Sequence, residues 1–508
     1  MKKLMALLLC FLLTGCGAED FDEVVDPGWE EYQQQEELPE PVVSSYPAEF
    51  SLAYHKDHTL DPLTCGEGIQ QDVASLLYEP LFRLNEQFEP EGILCESAEW
   101  DETGLICTLH IRQGVLFSDG TELTAADVAA TLRRAQETQR YAYRLRKIAD
   151  ISYSNRNMTV TVTLTEKNTA FLSLLDIPIV KKGTEQALVP VGTGPYLLSS
   201  DQDGIRLLAN HSWWQQKTLP VDTIPLIHAK DEDTAIHLFS SDRVELLTLD
   251  PTDEHSAVSG STDEMEKPTT LLHFIGFNTM NGVFADSAAR AAFSAGIQRE
   301  MLVDAFLSDH AIAAYYPISP LSKLYPKELD GSYNYEKTLS AIAGAGYDTG
   351  EVRELTLLVN EEASFRLDNA GYIAETLSLL DWEITVRVLP WTEYLIALEQ
   401  GDFDLYYGQV RLCADWDATD LMGTGGSLNY GGFTDPLMDT LLRDFLESDD
   451  RENAAHRLYV YFRQTVPFAP ICFQNYTVLT HTNVIENMSC APGSTFYSFE
   501  EWTIHLEK

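Results

Sequence analysis

The sequence predicts an α/β protein with more than one lobe. Its 508 residues exceed the length of one ordinary domain and allow a large core to be buried. Segments with strand alternation and segments with helical periodicity follow one another along the chain, separated by irregular stretches. The composition, with 44% hydrophobic and 10% aromatic residues, is that of a globular protein. No internal repeat is evident.

The first half of the chain supplies a hairpin, a helix and a strand. Residues 101–104 (DETG) are typical of a turn, and the alternation of apolar and polar residues over 105–111 then predicts a hairpin. Thr124 and Asp127 have the spacing of a capping box, so we expect a helix to begin there. Residues 157–166 (NMTVTVTLTE) alternate as a strand does.

The second half continues the alternation. Five segments are predicted in order: a helix over 286–306, a strand over 354–360, a helix over 369–380, a strand over 383–389 and a strand over 467–481. A further helix over 434–448 is expected to have Pro436 at its first position. Four residues form its predicted apolar side: Leu437, Leu441, Leu442 and Phe445.

The chain is strongly acidic, with 79 Asp and Glu against 34 Lys and Arg and a formal net charge of −45. Binding to nucleic acid or to anionic lipid needs clusters of Lys and Arg that meet phosphates, so the composition argues against both. An excess of acid is typical of an extracellular surface that stays monomeric by self-repulsion, and it would attract a cationic ligand.

The N-terminus has the order of a secretion signal. MKK is a basic region, LMALLLCFLL is apolar but shorter than the roughly 20 residues that span a bilayer, and LTGC, ending at Cys16, resembles the bacterial lipobox. We expect residues 1–16 to be the lipoprotein signal and lipobox, with cleavage before Cys16, which is diacylated and becomes the mature N-terminus. Two acyl chains anchor a protein stably to the cell membrane. Residues 17–45 are acidic and contain no Lys or Arg, which predicts a disordered tether.

Metal, redox and catalytic signatures are not evident. Six cysteines remain after the signal and the lipobox: Cys65, Cys95, Cys107, Cys413, Cys472 and Cys490. They permit disulfides outside the cytoplasm, but none has C-x-x-C spacing. His55 and His58 lack a third ligand nearby and are interpreted as solvated loop residues. No nucleophile elbow, Walker loop or dinucleotide fingerprint occurs. In VGTGPY we expect Gly192 and Gly194 to supply the permissive backbone of a tight turn.

The stretch CADWDATD, residues 413–420, places three carboxylates around one tryptophan and permits three interpretations. A glycosidase pair needs acids about 5–10 Å apart, whereas Asp415 and Asp417, if extended, point to opposite faces. A calcium loop that starts at Asp415 would need Gly at its sixth position and Glu at its twelfth, where Asp420 and Gly426 stand. The third interpretation is an anionic socket for a cationic group.

Taken in order, the segments after the tether resemble the peptide/nickel/opine family, family 5, of bacterial solute-binding proteins for ABC importers. Residues 60–84 (LDP through LYEPLFRL) are similar to the opening of the family, and residues 95–132 to its most diagnostic block, with Asp119, Gly120 and Asp127 in register. PVGTGPYLL, FIGFN, GDFDLYYGQV and the segment GSLNYGGFTDPLMDTLL follow in the expected order. One departure is Gln298, which stands where relatives have an acid, and we expect it to alter a salt bridge of Arg290 or Arg299 at the surface or between lobes.

The resemblance implies a two-lobed periplasmic-binding-protein-like fold of the large type II class, with a hinge between the lobes. The implied boundaries are a core of lobe I at 46–70, 185–270 and 478–508, an inserted subdomain at 71–184, and lobe II at 271–477. The chain would cross between lobes at 271–278 and 471–480. Closure around a ligand then requires a ligand that binds the closed form better than the open one.

The resemblance also implies a ligand site. In peptide-binding relatives the ligand backbone pairs with the loop after LDP, here Cys65, Gly66, Glu67 and Gly68. The same relatives hold the ligand α-ammonium with an Asp that matches Asp415, and Trp416 packs against either the ligand or the lobe. Asp417 and Asp420 are expected to cap a turn or helix. Further cleft candidates near the hinge are Phe274, Asn278, Arg411, Phe473 and Tyr476.

The function that the resemblance implies is capture of di- or oligopeptides outside the cytoplasm and delivery to permease subunits served by cytoplasmic ATPases. No catalytic residue, cofactor or metal is expected, and the protein is expected to be a monomer. The alternatives are the same fold binding a nickel chelate, haem or an oligosaccharide, and a lipid-anchored hydrolase.

Overall fold

The computed structural model describes residues 46–202, 204–308, 310–362 and 364–507. The predicted signal, the lipidated Cys16 and the tether lie outside the described residues. Within them, no helix combines the length and the apolar character that crossing a bilayer requires.

The described residues form 21 strands of mixed length. They are β1 (Leu52–Tyr54), β2 (Phe82–Leu84), β3 (Pro90–Gly92), β4 (Cys95–Trp100), β5 (Ile106–Ile111), β6 (Ile148–Ser154), β7 (Thr159–Leu164), β8 (Tyr196–Asp201), β9 (Gly204–Ala209), β10 (Thr223–His228), β11 (Leu246–Leu249), β12 (Thr262–Phe277), β13 (Ala311–Ala313), β14 (Arg353–Asn360), β15 (Trp382–Leu389), β16 (Leu405–Arg411), β17 (Phe468–His481), β18 (Ile485–Glu486), β19 (Ser489–Ala491), β20 (Ser494–Tyr497) and β21 (Thr503–Ile504).

Helices alternate with these strands. The α-helices of the described residues are α1 (Ile69–Ser75), α2 (Ala125–Ala135), α3 (Glu232–Ser240), α4 (Ser287–Gly296), α5 (Arg299–Phe306), α6 (Tyr335–Gly344), α7 (Ser364–Leu377), α8 (Trp391–Gln400), α9 (Thr419–Met422), α10 (Pro436–Glu447) and α11 (Arg451–Thr465). Single 3₁₀ turns occur at 171–174, 283–285, 327–329 and 499–501.

An 11-stranded mixed sheet organises the molecule. Its order is β15-β14-β16-β12-β17-β11-β1-β10-β9-β8, and β13 joins at β17. The two longest strands, β12 and β17, run antiparallel from Thr262–His481 to Gly276–Phe468. The second half of β12 pairs with β16, whereas the last residues of β17 pair with β11. The two predicted crossing segments therefore lie in or next to two adjacent strands at the middle of the sheet order, and the lobe boundaries remain a prediction.

A separate four-stranded sheet, β4-β5-β7-β6, holds the predicted hairpin and alternating strand. The prediction of a capping box is confirmed, since the Asp127 carboxylate accepts a hydrogen bond from the Thr124 amide at 2.9 Å and α2 begins at the next residue. Cys107, Leu132 and Val160 are fully buried between this sheet and α2. We call this cluster the small-sheet core.

A second hydrophobic cluster lies around α10 and α11 and contains Trp416, Leu442 and Tyr459. We call it the second-half core. Hydrogen bonds and ion pairs join the two cores where residues 143–169 meet residues 415–449; for example, the Thr169 amide donates to the Leu446 carbonyl at 2.9 Å.

Some local predictions were wrong in detail. Leu437 is 50% exposed, and Met438 is buried on the apolar side of α10 in its place. The φ angles of Gly192 and Gly194 are not positive, so no left-handed turn demands glycine there. Instead the backbone of Leu77 approaches so closely that a Cβ on Gly194 would lie 2.4 Å from the Leu77 carbonyl carbon.

The prediction for Gln298 was that it alters a salt bridge of Arg290 or Arg299 at the surface or between lobes, and the structure instead buries both arginines. Arg290 is 4% exposed and donates to the carbonyls of Thr465 and Val466, and Arg299 is 1% exposed and donates to main-chain carbonyls including that of Pro470. Both guanidinium groups therefore bind buried backbone acceptors. The six cysteines are free thiols, five of them buried.

Candidate functional site

A cavity of about 870 Å³ lies beside the β12–β17 pair. Its walls come from the loop before α1, the segment after α2, the middle of β12, the end of β16 and one residue of β17. The segments that line it include 62–67, 137–141, 267–270, Arg411, Leu412, Ala414, Tyr476 and 492–493. A cavity of this volume accommodates a ligand of several amino-acid residues or a compact chelate.

The loop before α1 forms one wall. The Cys65 amide donates to the Asp61 carbonyl at 2.8 Å, and the Arg140 side chain donates to the carbonyls of Pro62 at 3.0 Å and Cys65 at 2.5 Å. Among the described residues the amide and carbonyl groups of Gly66 and the Glu67 main chain have no hydrogen-bond partner. Two consecutive residues of this wall therefore keep their backbone groups available for a ligand.

The end of β16 forms the facing wall. The Leu412 amide donates to the Thr270 carbonyl at 3.0 Å, and the Thr270 hydroxyl donates to the Leu412 carbonyl at 2.7 Å, so the strand is held to β12 up to this point. Beyond it, the main-chain groups of Ala414 have no partner within the described part of the chain. Ala414 lines the cavity.

Charged side chains of both signs face this space. Arg411 donates to the Glu67 carboxylate and to the Tyr476 hydroxyl, each at 3.2 Å. Lys267, which is 6% exposed, is 3.2 Å from the Asp72 carboxylate.

A third ion pair in the cavity wall joins Arg144 to Asp176. Arg140 has no carboxylate partner in the described residues and instead holds the 62–65 loop. The cavity thus contains one cation whose charge no carboxylate of the described residues meets.

Asp415 lies outside this cavity and borders a much smaller one with Asn168, Lys147 and Cys413. It is 4% exposed, and its carboxylate accepts a hydrogen bond from the Asn168 side-chain amide at 2.8 Å. Burial, followed by the nearby charge of Asp417, raises the pKa of Asp415. The residue before it, Ala414, lines the large cavity, so one residue separates the buried carboxylate from that space.

Asp417 and Asp420 act across the interface between the two cores as well as locally. Asp417 accepts from the Thr419 amide at 3.0 Å, as expected for a cap, and also pairs with Lys147 at 3.1 Å and Arg146 at 3.2 Å. Asp420 pairs with the same Arg146 at 3.1 Å. These long-range partners were not predictable from local sequence patterns, because they lie about 270 residues away.

The remaining predicted residues do not line the cavity. Trp416, with φ 61°, is 2% exposed and packs edge-on against Phe88 at 4.9 Å and Phe473 at 5.8 Å between ring centroids. Phe274 packs against Phe468, and the Asn278 side chain donates to main-chain carbonyls. Trp416, Phe473 and Phe274 therefore pack against other aromatic rings, and Asn278 is held by hydrogen bonds to the main chain.

Of the predicted set, five residues line the cavity together: Cys65, Gly66, Glu67, Arg411 and Tyr476. Gly68 is adjacent, with φ 71° at the start of α1. Sequence reasoning missed Arg140 and Lys267. A signal for Arg140 was available, since six of the 34 Lys and Arg residues of this acidic chain lie within residues 133–147.

No group of three or more His, Cys, Asp or Glu residues with metal-binding geometry occurs in the ranges that the structure describes. The His55 ring donates from Nδ1 to the Ala229 carbonyl at 2.7 Å and lies beside His58, with ring centroids 5.3 Å apart.

Comparison with known proteins adds sequence and fold evidence. The model of "Bacterial extracellular solute-binding proteins, family 5 Middle" matches residues 89–427. The oligopeptide-binding protein AppA of Bacillus subtilis (strain 168) is 24% identical over 475 residues, which are 85% of this chain and 87% of that protein. The glutathione-binding protein GsiB of Escherichia coli (strain K12) is 25% identical over 307 residues, 58% of this chain and 60% of that protein.

Solved structures match over nearly the whole described chain. HbpA2 from Haemophilus parasuis has a TM-score of 0.76 at 18% identity, covering 90% of this chain and 100% of its own. B. subtilis AppA in complex with a nonapeptide has a TM-score of 0.62 at 21% identity, covering 91% of this chain and 99% of its own. NikZ from Campylobacter jejuni in complex with Ni(L-His) has a TM-score of 0.64 at 17% identity, covering 90% of this chain and 99% of its own. These similarities confirm the predicted fold class.

Proposed function

Because the chain belongs to the bacterial extracellular solute-binding proteins of family 5, we propose that it captures peptides outside the cytoplasm for an ABC importer. It delivers them to permease subunits served by cytoplasmic ATPases, acts as a monomer without catalytic activity, and is anchored to the membrane through lipid on Cys16. The relatives AppA and GsiB, named for binding oligopeptides and glutathione, support peptide as the ligand class.

One observation supports peptide binding most directly. Gly66 and Glu67 on one wall and Ala414 on the other expose main-chain groups without hydrogen-bond partners at the same cavity. A peptide backbone placed between them would satisfy these groups by strand addition. Because main-chain bonds do not depend on side chains, such a site accepts varied sequences.

The ligand α-ammonium is assigned to Asp415. Its carboxylate is buried and accepts from the neutral Asn168 side chain, and no cation of the described residues is in direct contact with it. An ammonium that entered from the adjacent cavity would supply the counter-ion, and burial would make the charge-assisted hydrogen bond selective against blocked N-termini. Such an ammonium would favour the ionised form of Asp415, opposing the effect of burial on its pKa.

Closure follows from differential affinity. A ligand that bridges the 66–67 loop and Ala414 gains both sets of bonds only when the two walls are close together. The β12–β17 pair connects these walls and lies next to the cavity, so a change of its twist would move one wall relative to the other.

A nickel chelate is the second candidate. NikZ and Staphylococcus aureus NikA are described in complex with Ni(L-His) and Ni(L-His)2. Arg140 favours this candidate, because a carboxylate of a chelating ligand would meet the cavity cation that has no carboxylate partner in the described residues.

Isothermal titration of the purified protein, unfolded and refolded to remove ligand from the host cell, tests the assignment. We expect free-N-terminus tri- to pentapeptides to bind, and their N-acetylated forms to bind at least about tenfold more weakly. Asp415→Asn should remove this preference, whereas Asp402→Asn, which changes an exposed acid paired with Arg387, should keep it. Equal binding of acetylated and free peptides would refute the ammonium socket, and binding of Ni(L-His)2 without any peptide binding would favour the chelate.

A further inference from the structure

The accessible charged pair of the cavity lies on the proposed ligand path. The main chain of Glu67 is part of the cavity wall whose hydrogen-bonding groups are available, and its carboxylate binds Arg411 at 3.2 Å. Tyr476 completes the group, with its hydroxyl 3.2 Å from the Arg411 guanidinium and 3.5 Å from the Glu67 carboxylate. A ligand whose backbone pairs with residue 67 must therefore place a side chain beside this group.

The pair joins walls that belong to different parts of the fold. Cys65, two residues before Glu67, is buried in a cluster with Leu52 and Tyr196, whereas Leu412, one residue after Arg411, is buried in the second-half core. The ion pair thus spans the cavity.

Exposure distinguishes this pair from the other ion pairs of the wall. The side chains of Glu67 and Arg411 are 53% and 44% exposed, whereas those of Asp72 and Lys267 are 9% and 7% exposed. Buried partners are costly to separate, but exposed partners exchange readily with other charges. The Glu67–Arg411 pair is therefore the one with which a ligand charge can compete.

We infer that the Glu67–Arg411 pair selects ligands by charge, accepting an uncharged side chain beside it and disfavouring an acidic or a basic one. This inference rests on the proposed peptide function. An uncharged side chain leaves the pair intact when the ligand displaces water. An acidic side chain competes with Glu67 for Arg411, and a basic one competes with Arg411 for Glu67, so one protein charge loses its partner in a site that the ligand has desolvated.

The predicted selectivity is reciprocal between the two residues. Glu67→Gln leaves Arg411 without a carboxylate partner and should turn it into a site for an acidic side chain. Arg411→Gln leaves the Glu67 carboxylate without its guanidinium partner and should favour a basic side chain. The exchange Glu67→Arg with Arg411→Glu rebuilds a pair of opposite polarity and should restore the preference for an uncharged side chain.

The experiment is titration of alanine pentapeptides with free N-termini, in which Asn, Asp or Lys replaces each inner alanine in turn. At one position we expect the unmutated protein to bind the Asn peptide about tenfold more tightly than the Asp and Lys peptides. In Glu67→Gln, the affinity of the Asp peptide should equal or exceed that of the Asn peptide. In Arg411→Gln, the affinity of the Lys peptide should equal or exceed that of the Asn peptide. The control is Glu351→Gln, which breaks an exposed Glu–Arg pair with Arg353 outside the cavity and should leave every ratio unchanged.

The outcomes separate this inference from the proposed function. If peptides bind but Glu67→Gln and Arg411→Gln each change the affinities for the Asp, Asn and Lys peptides by the same factor, the inference of charge selection is wrong, and peptide binding stands. If no peptide binds the unmutated protein, the proposed function and the selection both fail. The double exchange guards against misfolding of a single variant, since recovery of the original preference requires a folded site.

Discussion

Asp417→Asn tests whether the ion pairs between the small-sheet core and the second-half core stabilise the protein. The Asp417 side chain is 4% exposed and lies 3.1 Å from Lys147 and 3.2 Å from Arg146. Asparagine retains the oxygen that accepts from the Thr419 amide, so the local turn is preserved. The oxygen that accepts from Lys147 and Arg146 is replaced by an amide NH2 group, so both the charge and the acceptor are lost.

The magnitude lies between two limits. Breaking a buried pair costs about 3–5 kcal/mol, whereas an exposed pair contributes about 0–1 kcal/mol. The two cations are 23% and 31% exposed, and each keeps another carboxylate, Glu166 for Lys147 and Asp420 for Arg146, both at 3.1 Å. We therefore expect the free energy of unfolding to fall by roughly 1–2 kcal/mol at pH 7.

Urea unfolding followed by tryptophan fluorescence measures this change, with Asp449→Asn as the matched control. Asp449 pairs with Lys167 across the same interface at 3.0 Å, but its side chain is 90% exposed, so its replacement should give no resolvable change. Equal midpoints for Asp417→Asn and Asp449→Asn would refute the argument from burial.

The same variant has a predicted pH dependence. Burial opposes ionisation of Asp417, but Lys147 and the hydrogen bonds from Thr419 outweigh it and lower the pKa of Asp417. Because the folded pKa lies below the unfolded value of about 3.9, the carboxylate stabilises the protein above pH 4. The difference between unmutated protein and Asp417→Asn should therefore shrink as the pH falls through the folded pKa, and a difference that grows on acidification would contradict it.

Three further predictions concern other parts of the fold. Burial raises the pKa of Glu245 to about 7, so the stability of the unmutated protein is lost as the pH rises from about 4.5 through 7. Glu245→Gln should therefore raise the free energy of unfolding by roughly 2–3 kcal/mol at pH 8 and little at pH 4 in urea titrations. An equal gain at both pH values would refute this. Arg140→Ala should weaken binding of any ligand at the 62–65 loop at least about tenfold in calorimetry with little change in the urea midpoint, and unchanged affinity would show that the loop holds its shape alone. Gly194→Ala should lower the urea midpoint by the equivalent of about 2 kcal/mol or more because its Cβ would meet Leu77; a change under about 0.5 kcal/mol would mean that the backbone yields.

Local elements were predictable because their signals are short-range. The Thr124–Asp127 capping box, the hairpin that contains β4 and β5, and Pro436 at the first turn of α10 all depend on residues a few positions apart. Helix faces were less certain. Leu437 fits the apolar stripe of α10, but the structure buries Met438 in its place, and only the neighbouring elements decide this.

Residues of the candidate site divide in the same way. The loop at 65–68 was located by order of motifs along the chain, and three of its four residues line the cavity. The partners of these residues were not predictable, because the Arg140 contact with Cys65 bridges 75 positions and the Arg411 contact with Glu67 bridges 344.

The sequence alone determined the α/β class, the family resemblance and the segments that contain the candidate site, because composition, periodicity and motif order are properties of neighbouring residues. Tertiary structure decided which charges meet. Asp415 borders a small cavity rather than the large one that the preceding residue lines. Asp417 forms ion pairs with Lys147 and Arg146, and Trp416 packs between Phe88 and Phe473. The physical reason is that burial and ion pairing depend on distance in space. The antiparallel pairing of β12 with β17, for example, brings together residues that the order of the chain keeps about 200 positions apart.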